Sequence, residues 1–145
     1  MAGASTDSIQ KERKIRVLLA ASVLEGHDRG IKYIAKRIVE DGMEVIYITY
    51  EQIQEVVDVA IQESANVIGI SSSTGAHMAH MSDLVDALRV KEEDDMLLMV
   101  GGIIPTADMP ALKAIGVKGI FGPGTLDEDV VNFIKENIWV QAQSA

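Results

Sequence analysis

Five short apolar segments, each followed by a stretch with the spacing of an amphipathic helix, constrain the fold of this chain more than any other feature. The first segment, 15–21, is apolar and β-branched enough for a buried strand, and apolar residues then return at helical intervals as far as Val39. Strands that alternate with helices in this way form a parallel sheet covered on both faces. With right-handed crossovers, we expect an α/β, flavodoxin-like, doubly wound five-stranded parallel sheet in the order 2-1-3-4-5, with helices on both faces.

Glycines, a proline and two possible capping boxes set the predicted helix ends. Gly42 follows the first helix, 28–40, in a position that favours a left-handed residue. Capping boxes at 49–52 and 125–128 are predicted to begin the second and fifth helices. The fourth helix is expected to begin near Pro110 and to end at Gly116. The predicted strands are 15–21, 44–48, 66–70, 96–100 and 117–121.

Length and composition indicate one globular domain. The 145 residues are 48% hydrophobic and 24% charged, and we divide them into a flexible N-terminal segment (1–13), one domain (14–138) and a C-terminal tail (139–145). A net charge of -9 argues against nucleic acid as a partner. No apolar stretch approaches the roughly 20 residues that cross a bilayer, and no signal-peptide pattern is present, so we expect no membrane partner and a cytoplasmic location. The absence of cysteine excludes disulfide and thiol chemistry.

The predicted strand order directs attention to the loops that follow strands one and three. Ligands of open parallel sheets bind at the carboxyl ends of the strands, where the order reverses. The loop after strand one carries Glu25 and His27 between Ser22 and Gly30. An imidazole on such a loop, with a carboxylate two residues earlier, has the arrangement of a metal ligand and its orienting partner.

Four of the five strand exits have an unusual composition. Gly101-Gly102 would let a ligand lie against backbone, and the hydroxyls of Ser71 and Ser73 can hydrogen-bond polar groups. The sequence 122–125, Gly-Pro-Gly-Thr, follows strand five. Tight turns explain the glycines at any single exit, but the set predicts a deep, narrow slot for a flat or elongated ligand, with a histidine at its mouth.

Other residues of the chain offer weaker candidate sites. His77 and His80 lie three residues apart and could bind a metal, although such residues more often cap a helix or line a ligand-facing surface. Segment 69–73 lacks the second glycine of a nucleophile elbow, and no phosphate-binding or dinucleotide fingerprint occurs. A phosphoacceptor receiver domain would have acids where this chain has Ala21 and Ser71.

Three motifs in register carry a family resemblance. Glu25-x-His27-x-x-Gly30, Ser71-x-Ser73 and Gly101-Gly102 resemble the Asp-x-His-x-x-Gly, Ser-x-Leu and Gly-Gly motifs of cobalamin-binding domains. The sequences at 26–30, 100–105 and 120–125 resemble the methylmalonyl-CoA mutase branch, and the likeness covers 14–138. Glutamate replaces aspartate at position 25 and serine replaces leucine at position 73. Either change would weaken cofactor binding, or mark a branch with a different cofactor tail or none.

The resemblance implies that His27 binds the cobalt of cobalamin as lower axial ligand, in place of the cofactor's own base. The displaced nucleotide tail would enter the slot beside Ser71, pass Gly101 and Gly102, and meet Gly122 and Thr125 on the far side. The implied cofactor-binding residues are Glu25, Gly26, His27, Asp28, Arg29, Gly30, Ser71, Ser73, Gly101, Gly102, Gly122 and Thr125.

The resemblance also implies a function. A domain of this kind is expected to be the small subunit of an adenosylcobalamin-dependent acyl-CoA mutase, which rearranges a carbon skeleton by a radical mechanism. A separate large subunit with a barrel would bind the acyl-CoA, so this chain would hold no catalytic residue and be inactive alone. The alternatives are a corrinoid carrier for methyl transfer and a cobalamin-responsive regulatory or storage protein.

Overall fold

A computed structural model describes residues 14–25 and 29–144 of the chain, with the backbone alone for 139–144. The predicted flexible segment, 1–13, and three predicted site residues, Gly26, His27 and Asp28, lie outside the described residues. The described strands form one five-stranded parallel sheet in the order β2-β1-β3-β4-β5, which confirms the predicted topology. The strands are β1 (Arg16–Ser22), β2 (Glu44–Tyr50), β3 (Val67–Ser72), β4 (Leu97–Gly102) and β5 (Gly119–Phe121).

Helices cover both faces of the sheet, because successive side chains of a strand point to opposite faces. Leu18, Ile68 and Leu98 belong to the core on one face, whereas Val17 and Leu19 belong to the core on the other. The helices are α1 (Arg29–Glu40), α2 (Ile53–Gln62), α3 (His77–Val90), a 3-10 turn (Thr106–Asp108), α4 (Met109–Ala114) and α5 (Asp127–Ser144). The first face is covered by α2, α3 and α4, and the second by α1 and α5.

The predicted start of the second helix is wrong. Residues 49 and 50 belong to β2, and the ring of Tyr50 is buried in the core, so the strand continues beyond the predicted end. The helix begins at Ile53 instead, where the carboxylate of Glu55 accepts the backbone N–H groups of Glu51 and Gln52, each at 2.7 Å. These two bonds lower the pKa of the Glu55 carboxyl below its usual value.

The capping box predicted at 125–128 is also wrong. The hydroxyl of Thr125 donates to the carbonyl of Gly122 at 2.8 Å, closing the turn after β5 rather than capping a helix. Asp129 takes the capping role, since its carboxylate accepts the N–H of Leu126 at 3.3 Å. The helix continues to Ser144, past the predicted end of the domain at 138.

The remaining differences concern where strands end. β3 and β4 each extend two residues beyond the prediction, because Ser72 and Gly102 still pair across the two strands. β5 begins only at Gly119, two residues later than predicted. Positive φ angles at Gly42 and Gly116 confirm these glycines as the stops after α1 and α4. Among the described residues, no helix is long and apolar enough to cross a membrane.

Candidate functional site

A cavity of about 350 Å³ lies at the carboxyl end of the sheet, between the strand ends and the two helices α1 and α5. Its volume falls within the range of roughly 300–1,000 Å³ that is usual for small-molecule sites. The exits of β3, β4 and β5 contribute to it, as do Leu19 of β1 and Gly30 after β1. The cavity therefore includes the point between β1 and β3 where the strand order reverses and a ligand crevice is predicted.

Seven of the residues predicted to bind a cofactor line this one cavity. They come from four separate segments of the chain, which the parallel sheet brings together because its strand ends meet at one edge. The seven are Gly30, Ser71, Ser73, Gly101, Gly102, Gly122 and Thr125.

Two other predicted residues lie outside the cavity lining. Arg29 is exposed at the first position of α1. Glu25 is half-buried and contacts Ser73: its carboxylate accepts the backbone N–H of Ser73 at 2.9 Å and the Ser73 hydroxyl. The predicted contact between Glu25 and His27 stays a prediction, since His27 lies outside the described residues.

The glycines of the cavity serve two different purposes. At Gly30 and Gly122 an added Cβ would meet nothing within 4 Å, so the absence of side chains there leaves the cavity open. Gly102 has a φ of +125°, and a Cβ there would lie 2.0 Å from the carbonyl oxygen of Ser72. Gly102 is therefore required by the close pairing of β3 with β4, whatever the ligand.

The described residues that line the cavity are all uncharged. Leu19, Ile34 and Met99 contribute apolar surface, and the hydroxyl-bearing residues Ser71 and Thr125 contribute polar groups. The other uncharged lining residues are Ile31, Gly69, Ile70, Val100, Ile103, Phe121, Pro123 and Val130. A neutral aromatic group with a few polar atoms would fit here, because apolar walls bury its faces while hydroxyls meet its polar edge.

The sequence analysis named His77 and His80 but missed their hydrogen-bond partners, and neither histidine lines the cavity. Nε2 of the buried His77 lies 2.7 Å from a carboxylate oxygen of Asp108, and Nδ1 of His80 lies 2.8 Å from the hydroxyl of Tyr50. The two histidines therefore face different partners. Across the described ranges, no group of three His, Asp or Glu side chains could hold a metal ion.

Comparison of sequences adds a family to this geometry. The fold is an α/β domain with a cavity at the carboxyl edge of its sheet, and a family model for the B12 binding domain matches residues 15–131. The chain belongs to the B12-binding domain family.

The relatives include separate small subunits and segments of longer proteins. The chain is 40% identical to the pivalyl-CoA mutase small subunit of Xanthobacter autotrophicus over 84% of its own length and 82% of the relative's. It is 34% identical to the 2-hydroxyisobutanoyl-CoA mutase small subunit of Aquincola tertiaricarbonis, over 83% and 90% of the two lengths. It is 35% identical to methylmalonyl-CoA mutase of Escherichia coli over 86% of this chain but 18% of that protein.

Solved structures agree on the fold. A cobalamin-binding protein from Desulfitobacterium hafniense superposes with a TM-score of 0.73 at 20% identity, over 92% of this chain and 64% of that one. A receiver domain from Methanospirillum hungatei superposes with a TM-score of 0.68 at 17% identity, over 92% and 100% of the two chains. At these identities the likeness shows a shared flavodoxin-like architecture.

Proposed function

We propose that this chain is the cobalamin-binding small subunit of an adenosylcobalamin-dependent acyl-CoA mutase. The observation that carries the proposal is the cavity at the carboxyl edge of the sheet, whose described lining is uncharged and includes residues of all three motifs. Two relatives that match it over most of both lengths are small subunits of acyl-CoA mutases, which supports the same role here.

The residues of the site suit the parts of this cofactor. His27 would hold the cobalt through a neutral imidazole nitrogen, which is a good ligand for such metals. The cavity would take the displaced nucleotide tail, with its base against Leu19 and Ile34 and its polar atoms near the Ser71 hydroxyl. Open space beside Gly30 and Gly122 would let the tail approach the backbone closely. When bound, adenosylcobalamin supplies radical chemistry through its cobalt–carbon bond, and the protein holds and orients it.

A large subunit is the partner that this proposal requires. The names of the two relatives identify them as small subunits, and a barrel that binds an acyl-CoA is the large partner we propose. Apolar side chains stand exposed on the same edge of the sheet as the cavity: Leu24 is 83% exposed and Ile103 is 60% exposed. Such side chains would be covered when a second subunit closes over the cofactor.

Mixing the purified chain with adenosylcobalamin tests the binding role. We expect the visible spectrum to change as a histidine replaces the cofactor's own base. His27→Ala should abolish this change, while His80→Ala, which removes an imidazole outside the cavity lining, should retain it. An unchanged spectrum with the native chain, or an equal change with His27→Ala, would count against the proposal.

Activity requires a second experiment. Mixed with the large subunit of a pivalyl-CoA or 2-hydroxyisobutanoyl-CoA mutase, the chain should support isomerisation of the acyl-CoA only when adenosylcobalamin is added. Each protein alone should be inactive. Inactivity of every mixture, with cobalamin binding intact, would overturn the mutase assignment and leave a binding role.

A further inference from the structure

The two positions at which the chain departs from the cobalamin-binding motifs are in direct contact. Glu25 stands where the motif has aspartate, and Ser73 where it has leucine. The carboxylate of Glu25 accepts both the backbone N–H of Ser73, at 2.9 Å, and its hydroxyl, across 48 positions of sequence. Two departures that looked independent in the sequence are therefore one feature of the molecule.

Each departure depends on the other. A leucine at position 73 would offer no hydroxyl, and one oxygen of the Glu25 carboxylate would face an apolar side chain instead of a donor. An aspartate at position 25 would be one methylene, about 1.5 Å, shorter, and its carboxylate would fall short of both donors on Ser73. A change at one position alone thus breaks a contact, whereas a change at both exchanges one consistent pair for another.

The contact also fixes the chain at Glu25, two residues before His27. The backbone N–H of Glu25 donates to the carbonyl of Ser22 at 2.8 Å, and that of Val23 donates to the carbonyl of Tyr50 at 2.9 Å, so these bonds tie the start of the loop to the ends of β1 and β2. The side chain of Leu24 is 83% exposed and packs on little. The bonds from Glu25 to Ser73 attach the loop, two residues before His27, to the exit of β3 at the edge of the cavity.

We propose that Glu25 and Ser73 form one positioning unit, which holds the chain at Glu25, two residues before His27, against the exit of β3, and that the pair replaces aspartate and leucine as a single coupled change. The inference rests on the proposed cobalamin binding and concerns how this chain achieves it. A carboxylate has about four acceptor sites, of which Ser73 occupies two, so Glu25 retains capacity for a ring N–H of His27. Ser73 thereby helps to position His27, the proposed ligand of the cobalt, through Glu25.

A double-mutant cycle tests the coupling. The native chain, Glu25→Asp, Ser73→Leu and the double variant are each titrated with adenosylcobalamin, and affinity and the fraction with histidine bound to cobalt are read from visible spectra. Loss of charge-assisted hydrogen bonds should lower the affinity of each single variant about tenfold. The double variant should recover to within about threefold of the native chain. Ser73→Thr, which keeps the hydroxyl, should stay close to native, and Ser73→Ala should not.

Two results would overturn the inference: single variants that bind like the native chain, or a double variant as weak as the product of the two single losses. Thermal unfolding of each variant shows whether a loss of affinity comes from a loss of fold. Hydrogen exchange of the Ser73 amide tests the contact without any cofactor, and Glu25→Asp should accelerate it about tenfold. If the native chain bound no cobalamin, the proposed function would fall, and rapid exchange at that amide would separately overturn the positioning unit.

Discussion

Nε2 of His77 lies 2.7 Å from Oδ2 of Asp108, and this contact joins the first residue of α3 to the 3-10 turn that follows β4. The side chain of His77 is 4% exposed, whereas that of Asp108 is 38% exposed. The other ring nitrogen of His77 is buried with no hydrogen-bond partner in the described part of the chain. Asp108 is therefore the group that compensates for the burial of this imidazole.

Asp108→Ala should lower the free energy of unfolding by about 1–3 kcal/mol, because it leaves a buried polar ring without its partner. Loss of the Asp108 carboxylate itself changes the free energy of unfolding little, since its exposed part is hydrated in the folded chain as well as in the unfolded chain. Urea unfolding measures the difference. Asp86→Ala removes an exposed carboxylate from α3 and serves as the matched control, with an expected change within about 0.5 kcal/mol. Equal effects of the two substitutions would show that the contact with His77 adds nothing.

Gly102→Ala should destabilise the chain by at least about 2 kcal/mol, because a methyl group would enter the backbone of β3 at a φ that disfavours side chains. Gly30→Ala is the control, since its Cβ would meet nothing within 4 Å and alanine favours a helix. We expect Gly30→Ala to leave stability unchanged or to raise it by up to about 1 kcal/mol. Denaturant midpoints compare the two, and a tolerated Gly102→Ala would contradict the close approach to Ser72.

The topology was predictable because parallel strands have a strong local signature. The first four residues of β3 form an apolar run typical of a buried strand, whereas the apolar residues of α3 recur at the spacing of a helix. Strand ends were less predictable. Tyr50 belongs to β2 because its ring packs in the core on the face covered by α2, α3 and α4, and no local sequence pattern reveals such packing. The hydroxyl of Thr125 similarly donates to a carbonyl in its own turn and does not cap the helix, and a threonine side chain can form either kind of hydrogen bond.

The site was predictable to the extent that strand order brings strand ends together. Seven residues from separate segments line one cavity because the order 2-1-3-4-5 collects their loops at one edge. The hydrogen-bond partners of side chains were not predictable from the sequence, because they depend on ångström-scale differences in the positions of the loops. Glu25 was assigned to His27 alone, and its bonds to Ser73 appear only once the two loops face each other. Asp108, the partner of His77, carries no signal in the sequence at all.

Gly122→Leu should block the cavity without disturbing the fold. An added side chain at Gly122 meets nothing within 4 Å of its Cβ, so it would extend into the space that we assign to the nucleotide tail. We expect the affinity for adenosylcobalamin to fall at least about tenfold, with little change in unfolding free energy. Ala114→Leu adds similar bulk at an exposed position outside the cavity lining and should bind normally. Native affinity for Gly122→Leu would mean that the tail lies elsewhere.

Tyr50 should make the stability of the chain depend on pH in alkaline solution. Burial raises the pKa of its hydroxyl to about 12, from 10.0, and the negative charge of Glu25 adds to the effect. The unfolded chain would lose this proton near pH 10 while the folded chain keeps it until about pH 12. Between these values the unfolded state binds fewer protons than the folded state, so the free energy of unfolding must fall as the pH rises.

Tyr50→Phe removes this proton, and urea unfolding between pH 9 and roughly pH 12 should therefore show a shallower decline than for the native chain. The hydroxyl also bonds Nδ1 of His80 at 2.8 Å, so the variant should start from a lower stability at neutral pH, by about 1 kcal/mol. Tyr33→Phe changes a tyrosine that is 65% exposed and should follow the native decline. Parallel curves for the native chain and Tyr50→Phe would show that Tyr50 ionises at an ordinary pH, as an accessible phenol does.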